Sequence, residues 1–183
     1  MMHTYEWFDN WVNQNLGVCI TVASMSNVDS ALSAFDIDPV NAVQMTLNEA
    51  DDLIGEAVVR VGSVDNWTYG IEHFSVRGMG DAVMRELSAD GGTAISLAYA
   101  QTAAGLQIWQ DSRHVDGFDL SRPDYRYGAA EHSFDEPLTT AGLIPTRNSK
   151  PSAGARVLEL VTPLVLGVEI LEGPATAGIP QVA

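Results

Sequence analysis

Positive charge is what this sequence lacks most. Among its 183 residues there are 24 acidic side chains and nine basic ones, with Lys150 the only lysine, so the formal net charge is −15. A surface this negative repels phosphate backbones and anionic lipid headgroups, which argues against direct binding to nucleic acid or to a membrane. It attracts a basic protein and speeds the encounter with it. The alternative is that the acidity only keeps the protein soluble or reflects the proteome it comes from.

Cysteine is nearly absent as well. Cys19 is the only one, so the chain cannot form an internal disulfide and implies no oxidising compartment. Its apolar and β-branched neighbours predict a buried, unreactive thiol. The first residues, Met1 to Trp7, lack the basic and apolar segments of a signal peptide. No apolar run reaches the roughly 18 residues of a membrane helix. We therefore expect a cytoplasmic protein without membrane contact.

Motifs for catalysis and cofactor binding are also missing. Gly78 and Gly80 lack the further glycine, the lysine and the spacing of a phosphate-binding loop. The four histidines form no pair at helical spacing and join no cysteine cluster, so there is no zinc motif. No serine lies in a nucleophile elbow. The sequence predicts neither a metal nor a cofactor, and it leaves open whether the protein is an enzyme while favouring that it is not.

The hydrophobic pattern predicts one α+β domain over residues 1–183. Strands follow one another instead of alternating with helices, which favours a largely antiparallel sheet of five to six strands. N-terminal, central and C-terminal helices pack against it. Residues 173–183, with two glycines and two prolines, are expected to form an extended, partly disordered tail. The predicted strands are Leu16–Ala23, Val58–Val64, Trp67–Phe74, Thr93–Tyr99, Leu106–Gln110 and Val115–Leu120.

Apolar residues recur at helical spacing in six other segments. The predicted helices are Tyr5–Gln14, Asn27–Phe35, Leu47–Ala57, Ala82–Leu87, Pro137–Ala141 and Ala153–Leu166. Before the third of these, Thr46 has the spacing to Glu49 that a capping box requires. The same helix carries an acidic face opposite its apolar one, and this face is a candidate contact surface for a partner. It consists of Glu49, Asp51, Asp52 and Glu56.

A second candidate site combines acids at strand ends with a loop that contains two arginines. Glu72 interrupts an apolar run, Asp119 ends a strand, and Arg122, Arg126 and Tyr127 follow closely in the loop. Together these five residues predict a polar pocket or a partner contact. The alternative is a structural ion pair that ties the loop to the sheet.

Several short runs resemble one known family. They are Asp65 to Glu72, Phe118-Asp119 followed by Arg126-Tyr127-Gly128, and Leu171 to Pro174 followed by Ile179-Pro180. These runs resemble domain of unknown function 6461, found mainly in high-GC Gram-positive bacteria. The likeness extends from about Leu16 to Pro180, but Ala98 to Gln101 replaces the asparagine-rich segment that is usual in the family. The resemblance implies a single bacterial cytoplasmic domain and brings no known activity, hence no catalytic residue.

Three functions remain open from the sequence. The favoured one is a non-catalytic binding protein that neutralises a basic protein partner, as an immunity protein, an antitoxin or a bacterial defence accessory protein does. The second is a hydrolase in which Glu72 or Asp119 is the general base, because neighbouring aromatic residues can raise a carboxylate pKa. The third is a phage-related structural protein that assembles through an exposed sheet edge or the last helix.

Overall fold

The computed structural model describes residues 6–15, 17–53, 55–100, 103–123, 125–130, 132–144 and 150–181. Tyr5 and Leu16, the predicted first residues of a helix and a strand, lie outside these ranges, as do the last two residues of the predicted tail. Within the described residues, seven α-helices and nine strands are present.

The nine strands form one antiparallel sheet. They are β1 (Gly17–Ser24), β2 (Val43–Met45), β3 (Val59–Val64), β4 (Trp67–Glu72), β5 (Thr93–Ala100), β6 (Ala103–Gln110), β7 (Arg113–Asp119), β8 (Arg126–Tyr127) and β9 (Ala175–Gly178). Their order across the sheet is β2-β9-β3-β4-β1-β5-β6-β7-β8, and every neighbouring pair is antiparallel. The α+β class with an antiparallel sheet is thus confirmed, whereas the prediction of five to six strands is wrong.

The three strands that the sequence did not predict are the shortest ones. β2, β8 and β9 contain three, two and four residues, too few for an alternating pattern to become visible. Pairing with neighbours on both sides overrides the weak strand propensity of the Ala-Thr-Ala-Gly sequence in β9. The first part of the segment expected to be a tail therefore lies inside the sheet.

Helices cover both faces of the sheet. They are α1 (Glu6–Gln14), α2 (Val28–Ala34), α3 (Leu47–Asp51), α4 (Asp81–Leu87), α5 (Asp135–Thr140), α6 (Pro151–Val161) and α7 (Val168–Leu171). Side chains of α1 and α6 share one apolar cluster with Val18, Ile20 and Val22 of β1. Side chains of α2 and α4 form a second cluster with Ala23 and with Trp109 of β6. β1 is therefore buried on both faces, as its apolar sequence predicts.

Two helices end several residues earlier than the sequence pattern predicts. α6 ends at Val161, because the following Pro163 disfavours helical backbone in the residue before it. α3 begins as predicted, with the Thr46 hydroxyl accepting from the Glu49 main-chain N–H (3.3 Å) and the Glu49 carboxylate accepting from the Thr46 main-chain N–H (2.7 Å). It ends at Asp51 instead of Ala57, and Gly55, at φ +91°, has left the helical conformation. The described residues that follow, Asp52, Leu53 and 55–57, form an irregular connection to β3.

Candidate functional site

The five residues of the predicted polar patch do not form one site. Glu72 lies at the end of β4 and Asp119 at the end of β7, four strand positions apart in the sheet. At about 4.8 Å per strand, that separation is roughly 19 Å. The sequence could not show this, because strand order is not visible in a linear pattern. Glu72 therefore has to be considered separately from the other four residues.

Glu72 fixes a turn against the sheet. Its side chain is fully buried, and one carboxylate oxygen accepts from the Ser75 hydroxyl (2.7 Å) and the Arg77 main-chain N–H (2.9 Å). The other oxygen accepts from the main-chain N–H of Gly78 at 2.7 Å. A β-carbon on Gly78 would lie 2.0 Å from the Thr21 hydroxyl, so only glycine allows this close approach. With its oxygens occupied and no exposed surface, Glu72 has a structural role here.

Cys19 lies beside Glu72 in the same buried polar cluster. Its sulfur is 3.5 Å from the Ser96 hydroxyl, which in turn lies 3.0 Å from the Thr21 hydroxyl. Burial raises the pKa of the Cys19 thiol well above its ordinary value, and the nearby Glu72 carboxylate raises it further. Because the nucleophile is the thiolate, a thiol with a raised pKa is unreactive at neutral pH.

Arg126 is buried in an ion-pair network that ties the loop after β7 to the sheet. Its Nε donates to one oxygen of Asp116 (3.0 Å), Nη2 donates to the other, and Nη1 donates to Asp135 (2.9 Å). From the sequence, the alternative to a polar pocket is a structural ion pair between the loop and the sheet. Arg126 forms such a pair, but its acidic partners are Asp116 and Asp135 and not Glu72 or Asp119. The sequence reasoning missed Asp116. The available signal was a carboxylate in the interior of a predicted strand, ten residues before an arginine.

Asp119 is the exposed last residue of β7 and is held by one residue of the turn that follows. Its Oδ1 accepts from the hydroxyl (2.5 Å) and the main-chain N–H (2.7 Å) of Ser121. These hydrogen bonds lower the pKa of the Asp119 carboxyl. A lower pKa makes a carboxylate a weaker base, so the environment of Asp119 disfavours the general-base role.

Arg122 and Tyr127 are exposed near the β8 edge of the sheet. The guanidinium of Arg122 lies over the ring of Tyr125, 5.0 Å from its centroid. The ring of Tyr127 stacks on His114 with a centroid distance of 5.1 Å. Burial raises the pKa of Tyr127, to which Asp119 and Asp116 also contribute. These contacts organise the loop surface, and no described hydrogen bond or ion pair joins Arg122 or Tyr127 to Glu72.

All four carboxylates of the predicted acidic face are exposed. Hydrogen bonds from Thr46 occupy Glu49 and lower its pKa. Partial burial raises the pKa of Asp51; the Arg60 guanidinium opposes this rise and Asp52 adds to it. Among the described residues, no hydrogen bond or ion pair occupies the side-chain oxygens of the other three members of the face. They are available to a partner.

A cleft of about 480 Å³ opens beside this acidic face. β3 and β4 are antiparallel and Val59 pairs with Glu72, so the segment before β3 and the segment after β4 emerge at the same end of the hairpin. This arrangement brings Phe74 next to the connection that follows α3. The residues that line the cleft are Ala50, Asp51, Leu53, Gly55, Glu56, Ala57 and Phe74.

Phe74 is the most unusual residue of the cleft. Its side chain is 73% exposed, and its φ of +59° lies in the left-handed region, which is rare for a bulky aromatic residue. The sequence pattern assigned Phe74 to a strand, but β4 ends two residues earlier, at Glu72. The available signal was the polar pair Glu72-His73, which interrupts the apolar run just before Phe74.

Basic side chains are scarce around the cleft. Residues 1–59 contain nine carboxylates and neither lysine nor arginine. Arg60, the first basic residue, is only 1% exposed and donates to the main-chain carbonyls of Leu171 and Gly173. One carboxylate of residues 1–59 does have an arginine partner: Asp36 forms an ion pair with Arg77 at 3.0 Å. The carboxylates at the cleft therefore face solvent. Among the described residues that line the cleft, none carries a positive charge.

Two further observations concern the described part of the chain. No three of its histidine, cysteine, aspartate or glutamate side chains are grouped as ligands of a metal ion. None of its helices combines the length and the apolar character needed to span a bilayer.

Comparison with known proteins gives one match. A family model described as a family of unknown function (DUF6461) matches residues 1–164. The resemblance inferred from the sequence is thereby confirmed over these residues, while the run from Leu171 to Pro180 lies beyond them. Neither the curated proteins nor the solved structures contain a match to this chain.

Proposed function

Because the chain belongs to the DUF6461 family, whose function is unknown, we propose a function from its own charge and geometry: it is a non-catalytic acidic protein that binds and neutralises a basic protein partner. The observation that carries the proposal is the exposed group of Asp51, Asp52 and Glu56 beside an open cleft. Carboxylates that no described basic side chain neutralises produce a negative potential, which draws a positive surface toward them.

The distribution of charge supports this proposal more than the net value alone does. Residues 1–59 hold nine of the 24 acidic residues and none of the nine basic ones. Several arginines elsewhere are occupied within the protein: Arg126 with Asp116, Arg77 with Asp36, and Arg156 with Glu159. Internal pairing of cations leaves the surface acids uncompensated. Such a field speeds the association with a positive partner and selects against negative ones.

The environments of two carboxylates disfavour the hydrolase alternative. Glu72 is buried and saturated with hydrogen bonds, and hydrogen bonds from Ser121 weaken Asp119 as a base. The structural-protein alternative also lacks support, because both edge strands are short. β2 has three residues and β8 has two, and short edges are poor templates for edge-to-edge assembly.

Within this function, we favour a bacterial immunity protein, antitoxin or defence accessory that works in the cytoplasm. A toxin that acts on nucleic acid needs a positive surface to hold the phosphate backbone. An acidic protein that covers such a surface blocks it through the same electrostatic attraction that nucleic acid uses. The proposed partner is therefore a basic protein whose own target is an anionic polymer.

The test is direct binding to the products of the neighbouring genes. Each product is expressed, purified and titrated with this protein by calorimetry in about 50 mM and about 300 mM NaCl. We expect one basic protein to bind, with an affinity at least about tenfold weaker at the higher salt concentration because the charges are screened. Absence of binding by every basic neighbour, or an affinity that does not change with salt, would refute the proposal.

A further inference from the structure

We infer that the cleft between Phe74 and the described residues 50–53 and 55–57 binds an arginine side chain of the basic partner. This inference rests on the proposed function and adds to it the position and the chemistry of the anchoring contact. Side chains that dominate protein interfaces sit in pockets, and arginine is among the residue types most enriched there. The cleft, at about 480 Å³, falls within the size range of ligand pockets.

The lining of the cleft matches the two parts of an arginine side chain. Ala50, Leu53 and Ala57 provide an apolar wall for the aliphatic stem. Asp51 and Glu56 provide carboxylates for the guanidinium group, whose planar N–H donors suit carboxylate oxygens. A purely apolar ligand would leave both carboxylates without a partner, and an anionic one would be repelled by them.

Phe74 adds an aromatic face to the same cleft. A guanidinium can stack on a phenyl ring, where the electrons of the ring attract the cation. The side chain is exposed even though the adjacent His73 is buried, and its backbone adopts an unfavourable positive φ. The fold therefore holds a large apolar side chain in solvent beside two acids, an arrangement that a bound cationic group would cover.

Charge complementarity identifies the occupant as external to this chain. None of the residues that line the cleft is basic. Arg60 is near enough to oppose the rise in the pKa of Asp51, but it is buried and donates to main-chain carbonyls. A second copy of the protein is a poor occupant, because two chains of charge −15 repel each other.

The test is an NMR titration of the full-length, ¹⁵N-labelled protein with Nα-acetyl-L-arginine amide as the probe. The neutral probe is Nα-acetyl-L-citrulline amide, which has nearly the same shape without the charge. We expect saturable shifts confined to residues 50–57, Phe74 and their neighbours with the arginine probe, and at least about fivefold weaker binding of the citrulline probe. Absent shifts, shifts spread evenly over the acidic surface, or equal binding of both probes would overturn the inference.

Two variants with the same change in charge locate the contact. The D51N/E56Q variant removes two charges inside the cleft, and the E86Q/E136Q variant removes two exposed charges on α4 and α5. We expect the first variant and Phe74→Ala each to bind the arginine probe about fivefold or more weakly than the wild type does. The second variant should retain most of the affinity for the probe. Equal losses in both double variants would show that the probe senses only net charge and would refute the site.

Failure of this inference is separable from failure of the proposed function. If a basic protein from a neighbouring gene binds with strong salt dependence while the arginine probe does not bind in the cleft, the cleft assignment is wrong and the proposed function stands. If the probe binds in the cleft while no basic neighbour binds, the cation site stands and the proposed partner class is wrong. Nα-acetyl-L-lysine amide, run as a third probe, shows whether the site prefers a guanidinium or accepts any cation.

Discussion

Carboxylates occur in two contrasting settings in this protein. Around β7 and β8, Asp116 is fully buried, and Arg126 binds both of its oxygens. At the opposite half of the sheet, Asp51 and Glu56 are exposed beside a cleft with no basic lining residue. A buried carboxylate requires a paired cation, as Asp116 has, or a set of hydrogen-bond donors, as Glu72 has, because an uncompensated one costs several kcal/mol. An exposed carboxylate costs little folding free energy, so Asp51 and Glu56 can remain unpaired in the folded state and are accessible to a partner.

The largest expected effect comes from breaking the buried pair. Arg126→Met should lower the free energy of unfolding by about 3–5 kcal/mol, because Asp116 would remain buried without its cation. Urea denaturation measures the change. The matched control is Arg122→Met, an exposed arginine that lies over Tyr125, with an expected change within about 0.5 kcal/mol. Similar losses in both variants would contradict the assignment of Arg126 as the structural member of the pair.

The second effect depends on pH and concerns His73, the buried residue that precedes Phe74. Burial, assisted by the Arg60 charge, lowers the pKa of His73 to about 4 from about 6.5 in the unfolded chain. The folded state therefore excludes the proton, and the stability associated with neutral His73 is complete above pH 6.5 and is lost as pH falls from about 6.5 to about 4. The loss is roughly 3 kcal/mol.

Comparison with His73→Phe isolates this contribution from that of the carboxylates. Both proteins are unfolded with urea at about pH 7, 5.5 and 4. The stability of the wild type should fall more steeply than that of the variant over this interval. Parallel pH profiles would mean that His73 takes up its proton equally in both states and is not held neutral by the fold.

The third effect concerns the carboxylate that fixes the turn after β4. Glu72→Gln should cost about 1–3 kcal/mol, because an amide nitrogen would face one of the N–H groups of Arg77 and Gly78 that now donate to the carboxylate. Asp119→Asn is the control, with the same kind of change at the exposed end of β7, and a smaller cost is expected there. Thermal unfolding compares them. Equal stability of Glu72→Gln and the wild type would contradict the role assigned to Glu72.

The smallest effect is predicted where the acids are exposed. The D51N/D52N/E56Q variant should retain the free energy of unfolding within about 0.5 kcal/mol, because no described hydrogen bond or ion pair is lost and the weaker mutual repulsion of the acids offsets the lost attraction between Asp51 and Arg60. Asp116→Asn, the same chemical change at a buried position, should destabilise the protein clearly. Destabilisation of the triple variant by more than about 1 kcal/mol would show that these acids support the fold.

Local features of the fold were predictable from the sequence. The apolar run around Cys19 predicted a strand buried on both faces, and the spacing of Thr46 and Glu49 predicted the capping box. The strands β3 and β4 were both predicted, and the turn at Asp65-Asn66 between them joins them into a hairpin. Each of these signals depends on neighbours within a few residues, which is the range over which propensity and side-chain capping operate.

Long-range features were not predictable. β9 forms because β2 and β3 supply its hydrogen bonds. Ala177 of β9 pairs with Val43 of β2, 134 positions earlier in the chain, and no local sequence pattern encodes a pairing over that distance. Arg126 was identified, but its partner is the strand acid Asp116 and not Asp119. The sequence predicted the acidic face of Asp51 and Glu56, whereas Phe74 joins them only through the register of the β3–β4 hairpin.

The central claim is that the acids at the cleft, and not the net charge of the protein, bind a basic partner. The most direct measurement is the dissociation constant of the complex with that partner for D51N/E56Q and for E86Q/E136Q, two variants of equal charge. The claim predicts that the first variant weakens binding by about tenfold or more and the second by less than about threefold. Equal weakening by both variants, or none by the first, would contradict it.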